Sequence, residues 1–452
     1  MPPPPCIAPS VALRCVPVSA AAAAQMEVAR AKAMDGLRKT LHTLCVAAGL
    51  DAPPQLALER WRFACKLAEE VAEAKTGVAA KRKRRLAGPV DASDALLPCV
   101  ALCGDGGGLA GDLERAGLSA LSAAGVAEAL HAASCAAQKQ LAQMAQRVAS
   151  AGLLVESRVV TVFHKRSVTQ THGPSFVTVT REAYGKLAVL HRAHGPPEER
   201  TPAPPAHTSD DVDEDDREAA AAAAAGDVRA YAGFHARLFA LLLRYKTLRG
   251  HGFQAAAGPG VFRVLHALLG VDFECFASPL NARYGRYCSA FADTDAPFGS
   301  AGSFFSMQEG PTRGAFEVNP PFTAACLDTA ARRCLHLLAA AEAASQPLSF
   351  VVLMPGWKET WARSALLSSV NLTFNATIAA ADHGFCDGAS HARQDPFRAS
   401  PYDTEIVVLQ SARARALRPV DSALLDSRLR AAFAACCPSQ AALKRQGRAL
   451  EG

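Results

Sequence analysis

Ala315-Phe316-Glu317-Val318-Asn319-Pro320-Pro321-Phe322 is the stretch on which the reading of the C-terminal half turns. Its first four residues form a short β-prone run. The two prolines behind them cannot extend a hydrogen-bonded ladder, so the strand over 315–318 must end in a turn. Helical spacing resumes at once over 323–344, and the apolar run 348–354 then stops at Pro355. Upstream, helices over 231–248 and 261–269 flank a glycine-rich turn at 250–260, and a strand over 272–277 ends at Ser278-Pro279. Two later β-rich runs, 376–380 and 405–410, complete a sheet. Apolar strands alternating with helices predict a doubly wound α/β domain, Rossmann-like, over 228–415. In such a sheet ligands gather at the carboxyl ends of the strands. Ser278, Asn319 and Pro355 all fall at such ends.

The region before it reads differently. Residues 26–194 predict a mainly helical domain with a small β-hairpin. Leu37, Leu41, Leu44 and Cys45 recur at helical spacing, as do Leu58, Trp61, Phe63, Leu67 and Val71. Val159, Thr161 and Phe163 alternate with polar neighbours, and Phe176 to Val179 form a second β-rich run, which puts His164, Lys165 and Arg166 near a hairpin tip. Residues 1–25 read as a disordered leader, 195–227 as a disordered proline-, acid- and alanine-rich insertion, and 416–452 as a helical or disordered tail. The alanine runs 20–24 and 219–225 are composition bias and are discounted as core. The basic run 81–85 reads as an import signal, a phosphate-contacting patch or a solvated loop.

Composition excludes some classes. The chain of 452 residues carries a net charge of +6, but the segment 209–218 contributes −6, so the rest carries +12 and suits a polyanionic partner. Fourteen cysteines are scattered without paired metal-ligand spacing, so buried free thiols and no structural metal are expected. No uninterrupted apolar stretch reaches the length of a membrane span, and no membrane partner is expected.

The turn at 319–322 has a chemistry of its own. The exocyclic amine of adenine is a weak nucleophile because its lone pair is delocalised into the ring. A site that methylates it should accept hydrogen bonds from both amine hydrogens. The Asn319 side-chain oxygen is one acceptor and the Pro320 carbonyl the other. Pro320 and Pro321 fix the backbone that aims them, and the Phe322 ring offers a stacking face worth roughly 1–3 kcal/mol. The bland reading is a proline-rich turn after a strand.

Several segments together resemble the cap-specific adenosine N6-methyltransferase family, whose animal members are called phosphorylated CTD-interacting factor. They are 271–281, 287–291, 293–295, 298–300, 316–317, the turn 319–322 and 347–350, in that order, within 238–410. The resemblance implies S-adenosylmethionine-dependent N6-methylation of the adenosine beside the 7-methylguanosine cap of mRNA, preferably 2′-O-methylated, in the nucleus. It makes Asn319, Pro320, Pro321 and Phe322 the catalytic turn. It implies Phe276, Ala277, Ser278, Pro279, Asn281, Asp293, Asn319 and Pro320 as the cofactor pocket, in place of a glycine-rich turn. Phe322, Trp357, Lys358, Glu359, Lys165 and Arg166 are the candidate contacts to capped RNA. Two departures stand out: Thr360-Trp361 replaces a family Pro-Pro, and Ala324 replaces a family glutamate. With only Trp61, Trp357 and Trp361 in the chain, no WW module and no polymerase-tail binding are expected. The competing readings are N6-methylation of DNA or internal RNA adenine, and a non-catalytic RNA-binding module on a methyltransferase fold.

Overall fold

The computed structural model describes residues 19–75, 94, 96–97, 108–150, 159–199, 231–249, 254–307, 310–393 and 395–439. The basic run 81–85 and the acidic segment 209–218 lie outside the described residues, as does the chain before Ser19.

The first helix, α1 (Ala20–Ala47), begins where the Ser19 hydroxyl accepts from the Ala22 N–H at 3.3 Å. The alanine run 20–24, discounted as core, is therefore its first turn, and Ala20 and Ala24 are buried. Next come α2 (Ala57–Lys75), α3 (Leu109–Arg115) and α4 (Ala120–Ser150). The last of these contains a stretch long and apolar enough to cross a membrane by length and composition alone. It is interrupted by Glu128 and Lys139, and Ala123, Val126, Leu130 and Leu141 turn into the helical core.

Instead of one hairpin, the segment 160–180 forms a three-stranded antiparallel meander: β1 (Val160–Phe163), β2 (Ser167–His172) and β3 (Ser175–Thr180). The two runs read as partners each pair with the middle strand and not with one another. That middle strand, Ser-Val-Thr-Gln-Thr-His, is too polar to register as β from hydrophobicity. Lys165 and Arg166 sit exposed in the β1–β2 turn, as the hairpin reading required. Helix α5 (Arg181–His194) follows, capped by the Thr180 hydroxyl, which accepts from the Ala183 N–H at 3.2 Å.

Helix α6 (Ala232–Leu248), expected to open the α/β domain, packs instead in the helical core with α1; Leu238, Leu241 and Tyr245 share that core with Met34, Leu37 and Leu41. The first residues of the 195–227 insertion are anchored to it: Glu199 accepts from Nε and Nη2 of Arg237, both at 2.9 Å.

The central sheet has six strands in the order β5-β4-β6-β7-β11-β8. These are β4 (Phe273–Ala277), β5 (Tyr287–Ser289), β6 (Gly314–Val318), β7 (Leu348–Pro355), β8 (Leu372–Ile378) and β11 (Thr404–Gln410). A separate pair, β9 (Gly384–Cys386) and β10 (Phe397–Ala399), lies apart. Strands β5, β4, β6 and β7 run parallel. Strand β11 is antiparallel to β7 on one side and β8 on the other, so the sheet is mixed rather than wholly parallel. One face carries Phe316, Val318, Phe350 and Val352 against α8 (Ala324–Ala343). The other carries Val351, Leu353, Ile406 and Val408 against α7 (Pro259–Leu269) and α9 (Ser422–Ala434). The expected tail thus supplies Leu425, Leu429 and Phe433 to the core. Helices on both faces fit an α/β methyltransferase fold.

Two features tie the helical region to the sheet. Helix α2 places Trp61 and Cys65 in the helical core while Phe63, Leu67 and Val71 pack on the sheet's core. The buried Arg244 of α6 joins Glu27 of α1 to Asp293, which stands in the single helical turn Ala292–Asp295.

Candidate active site at the strand ends

Strands β4 and β6 end side by side, because Phe273 and Glu274 pair in register with Phe316 and Glu317. Just beyond their carboxyl ends opens a cavity of about 1030 Å³, open solvent at its mouth included. Phe276, Ala277, Ser278 and Asn281 line it after β4; Asn319 and Pro321 line it after β6. Ser289, Ala290 and Phe291 after β5, the segment 303–305, Tyr245, and one side of α2 complete the wall.

The loop after β4 is built by its own side chains. The Ser278 N–H and hydroxyl both donate to Asn281 Oδ1, at 2.7 and 2.9 Å, and Asn281 Nδ2 donates to the Gln254 carbonyl at 3.0 Å. Behind it, Glu274 Oε1 accepts from the N–H groups of Arg283 (2.6 Å) and Tyr284 (3.0 Å), and the Tyr284 hydroxyl donates to the Val271 carbonyl at 2.8 Å. Burial pushes the Glu274 carboxyl up to about 7, against the pull of those two N–H donors. Its neighbour on β6, Glu317, has both oxygens buried without a hydrogen-bond partner among the described residues. Burial, then the adjacent Glu274 charge, raises Glu317 well above the usual carboxylate range. A buried carboxyl whose protonated form is favoured thus precedes the Asn319 turn by two residues on β6.

Asn319 is buried, and its Nδ2 donates to the Ala255 carbonyl at 3.5 Å. That orientation leaves Oδ1, which makes no hydrogen bond among the described residues, as an acceptor beside the cavity. Pro320 is buried behind it and the Pro321 carbonyl accepts from the Thr323 N–H at 2.7 Å, which locks the turn to the start of α8. Phe322 does not line the cavity; its ring stands edge-on to Phe385 at 6.2 Å.

The remaining candidates lie elsewhere. Pro279 and Pro320 are outside the cavity lining. Asp293 is engaged by Arg244, through Nη1 at 3.1 Å and Nη2 at 2.7 Å. Burial alone would raise its carboxyl, but that guanidinium, with Arg30 and Lys66 behind it, holds it well below the usual range. Trp357 is half-buried, edge-on to Tyr402 at 5.3 Å, with Lys358 and Glu359 exposed beside it. None of these three, and neither Lys165 nor Arg166, reaches the cavity wall.

What the sequence reading missed is the contribution of α2: Glu59, Arg62, Phe63, Lys66 and Glu70 line the cavity. The signal was present as a charged stripe at helical spacing, which ordinarily marks a solvated face. Only the docking of the helix on the sheet turns that stripe inward. Lys66 pairs with Glu70 at 2.9 Å, and Glu70 also accepts from the Ser303 hydroxyl at 2.7 Å. Among the described residues no group of three or more His, Cys, Asp or Glu side chains could hold a metal ion, and seven of the described cysteines, Cys45, Cys65, Cys275, Cys288, Cys326, Cys334 and Cys436, are buried free thiols.

A cavity at the ends of parallel strands, with Asn319 and Pro321 on its wall and helices on both sheet faces, fits an α/β methyltransferase domain. Residues 221–388 match the family model described as "Phosphorylated CTD interacting factor 1 WW domain". Two curated relatives, from Mus musculus and Homo sapiens, are both named mRNA (2'-O-methyladenosine-N(6)-)-methyltransferase. Each is 35% identical over 195 residues, 41% of this chain and 27% of the relative. The chain therefore spans about a quarter of the length of the curated relatives it matches. The described part of the matched segment forms α6, α7, β4 to β9 and α8, so the words "WW domain" in the description label a stretch that is here helix and sheet.

Proposed function

We propose that the chain transfers a methyl group from S-adenosylmethionine to N6 of the adenosine adjacent to the 7-methylguanosine cap of mRNA, the activity named for its relatives. The observation that carries this is Asn319: a buried amide at the end of β6, with its oxygen uncommitted, on the wall of the cavity that also takes Ser278 and Asn281. S-adenosylmethionine would supply an electrophilic methyl group. The Ser278–Asn281 loop, Phe276 and Phe291 would hold the nucleoside end, since the walls there are aromatic and the polar atoms few and preorganised. Asn319 Oδ1 would accept one of the amine hydrogens and help direct the nitrogen lone pair toward that methyl group. Acceleration then comes from positioning and electrostatics rather than from a strong base.

Capped mRNA as substrate and a nuclear site of action belong to this reading; binding to the polymerase tail does not. The test is methyl transfer from labelled S-adenosylmethionine to two short RNAs beginning with adenosine, one capped and one uncapped. Label recovered as N6-methyladenosine on the capped RNA alone is the expected result. Equal label on both would keep adenine methylation and withdraw cap recognition, with Ala324 and Thr360-Trp361 the first positions to restore. Asn319→Ala should lower turnover by roughly 100-fold or more; unchanged turnover would rule out its role as acceptor.

A further inference from the structure

Arg62 is a cation in an unusual position. It stands on α2, on the cavity wall, and is only 7% exposed. Its Nε is buried with no hydrogen-bond partner among the described residues, and no carboxylate there lies within ion-pair distance of it. The nearby Glu59 is committed to Arg38, whose Nη2 and Nε donate to its Oε1 at 3.1 and 3.3 Å. The other cation on the wall, Lys66, is already paired with Glu70. Burial pulls the Arg62 guanidinium down to about 10, partly offset by Glu59. An arginine left buried and unpaired is costly unless a ligand completes it, and a planar guanidinium matches a carboxylate through two parallel hydrogen bonds.

We propose that Arg62 holds the carboxylate of the amino-acid end of S-adenosylmethionine, so that the helical region supplies a cofactor ligand to the sheet domain. The inference rests on the cofactor reading given above. A carboxylate is the one anionic group of that cofactor, and Arg62 is the one unpaired cation on the described cavity wall. A phosphate of the RNA is the other anion to consider, and the experiment below separates the two. The cofactor's amine and sulfonium then face a wall that also carries Glu70 and Glu59.

The experiment is titration calorimetry on the full chain with two ligands, S-adenosylhomocysteine and 5′-methylthioadenosine; the second lacks the amino-acid end. Arg62→Met should raise the Kd for S-adenosylhomocysteine by about 10-fold or more, as for loss of a charged hydrogen-bonded contact. Binding of 5′-methylthioadenosine should stay within about two-fold, which also shows that the variant is folded; Arg62→Lys should lie between. Equal weakening of both ligands would reduce Arg62 to a structural role and overturn the proposal. Unchanged S-adenosylhomocysteine binding with a raised KM for RNA would reassign the guanidinium to phosphate. Failure of the unsubstituted chain to bind either ligand would instead withdraw the cofactor reading itself.

Discussion

Replacing Arg244 with methionine isolates the junction between the helical region and the sheet. The guanidinium donates through Nε and Nη2 to Glu27, at 2.7 and 2.8 Å, and through Nη1 and Nη2 to Asp293, at 3.1 and 2.7 Å. The Arg244 and Glu27 side chains are fully buried, so removing the cation strands a buried carboxylate, which costs about 3–5 kcal/mol. Two facts place the loss at the low end. Glu27 keeps a second partner, Arg30 at 2.9 Å, and Asp293 is 39% exposed, so water screens its share, which is worth about 1 kcal/mol or less. The expected destabilisation is therefore about 3 kcal/mol, read as a shift in urea midpoint with unchanged slope. Adding Glu27→Gln to the variant should restore part of the loss, because the stranded charge goes with it. The pH dependence has a definite sign. Asp293 is held below its ordinary range in the fold, so its contribution is complete above about pH 4 and is lost as the pH falls through the folded value. The gap between the unsubstituted chain and the variant should stay level from neutral pH to about 5 and narrow below about 4. A destabilisation under about 1 kcal/mol at pH 7 would refute the view that this triad joins the two regions.

Glu317→Gln removes a carboxyl whose folded-state affinity for protons is raised, so the stability it forfeits above its unfolded value of about 4.3 should be recovered. As the pH rises above that unfolded value, the decline of stability should become shallower in urea melts, by up to about one proton or about 1.4 kcal/mol per pH unit; an unaltered slope would mean that Glu317 does not take up a proton on folding. Gly299 has φ +103°, and a Cβ there would stand 2.3 Å from the Gly285 carbonyl oxygen. Gly299→Ala should therefore destabilise by about 2 kcal/mol or more, visible as a lowered thermal midpoint. Asn281→Ala breaks three hydrogen bonds of the loop after β4 and should weaken S-adenosylhomocysteine binding by about 10-fold in calorimetry, with little change in thermal midpoint.

The elements around the site were legible wherever local pattern and local structure coincide. The strands over 315–318 and 348–354 are apolar and proline-stopped, and they stand in the fold within a residue of their expected ends. Strand β5 was not legible because Tyr287-Cys288-Ser289 is only three residues long, and β2 was not because its outward face is all threonine and serine. The antiparallel insertion of β11 between β7 and β8 is a pairing choice that its uniform apolar run leaves open. At the site, Ser278 and Asn319 could be placed because strand ends can be read from a sequence, while Asn281 entered only through the resemblance; all three line the cavity. Arg62, Lys66 and Glu70 were not, because the face that a helix turns inward depends on what it docks against. The same limit explains α6, whose allegiance to α1 is a long-range fact.

That allegiance has a consequence for synthesis. Glu27 and Arg244 are separated by 217 positions. At ribosomal rates of about 5–20 residues per second, roughly 10–40 s pass between the appearance of the first helix and that of its partner. During that interval Met34, Leu37 and Leu41 have no α6 to cover them. The nascent chain must therefore carry this apolar helix without α6 through nearly half of its own translation, which makes that helix a natural early target for chaperones.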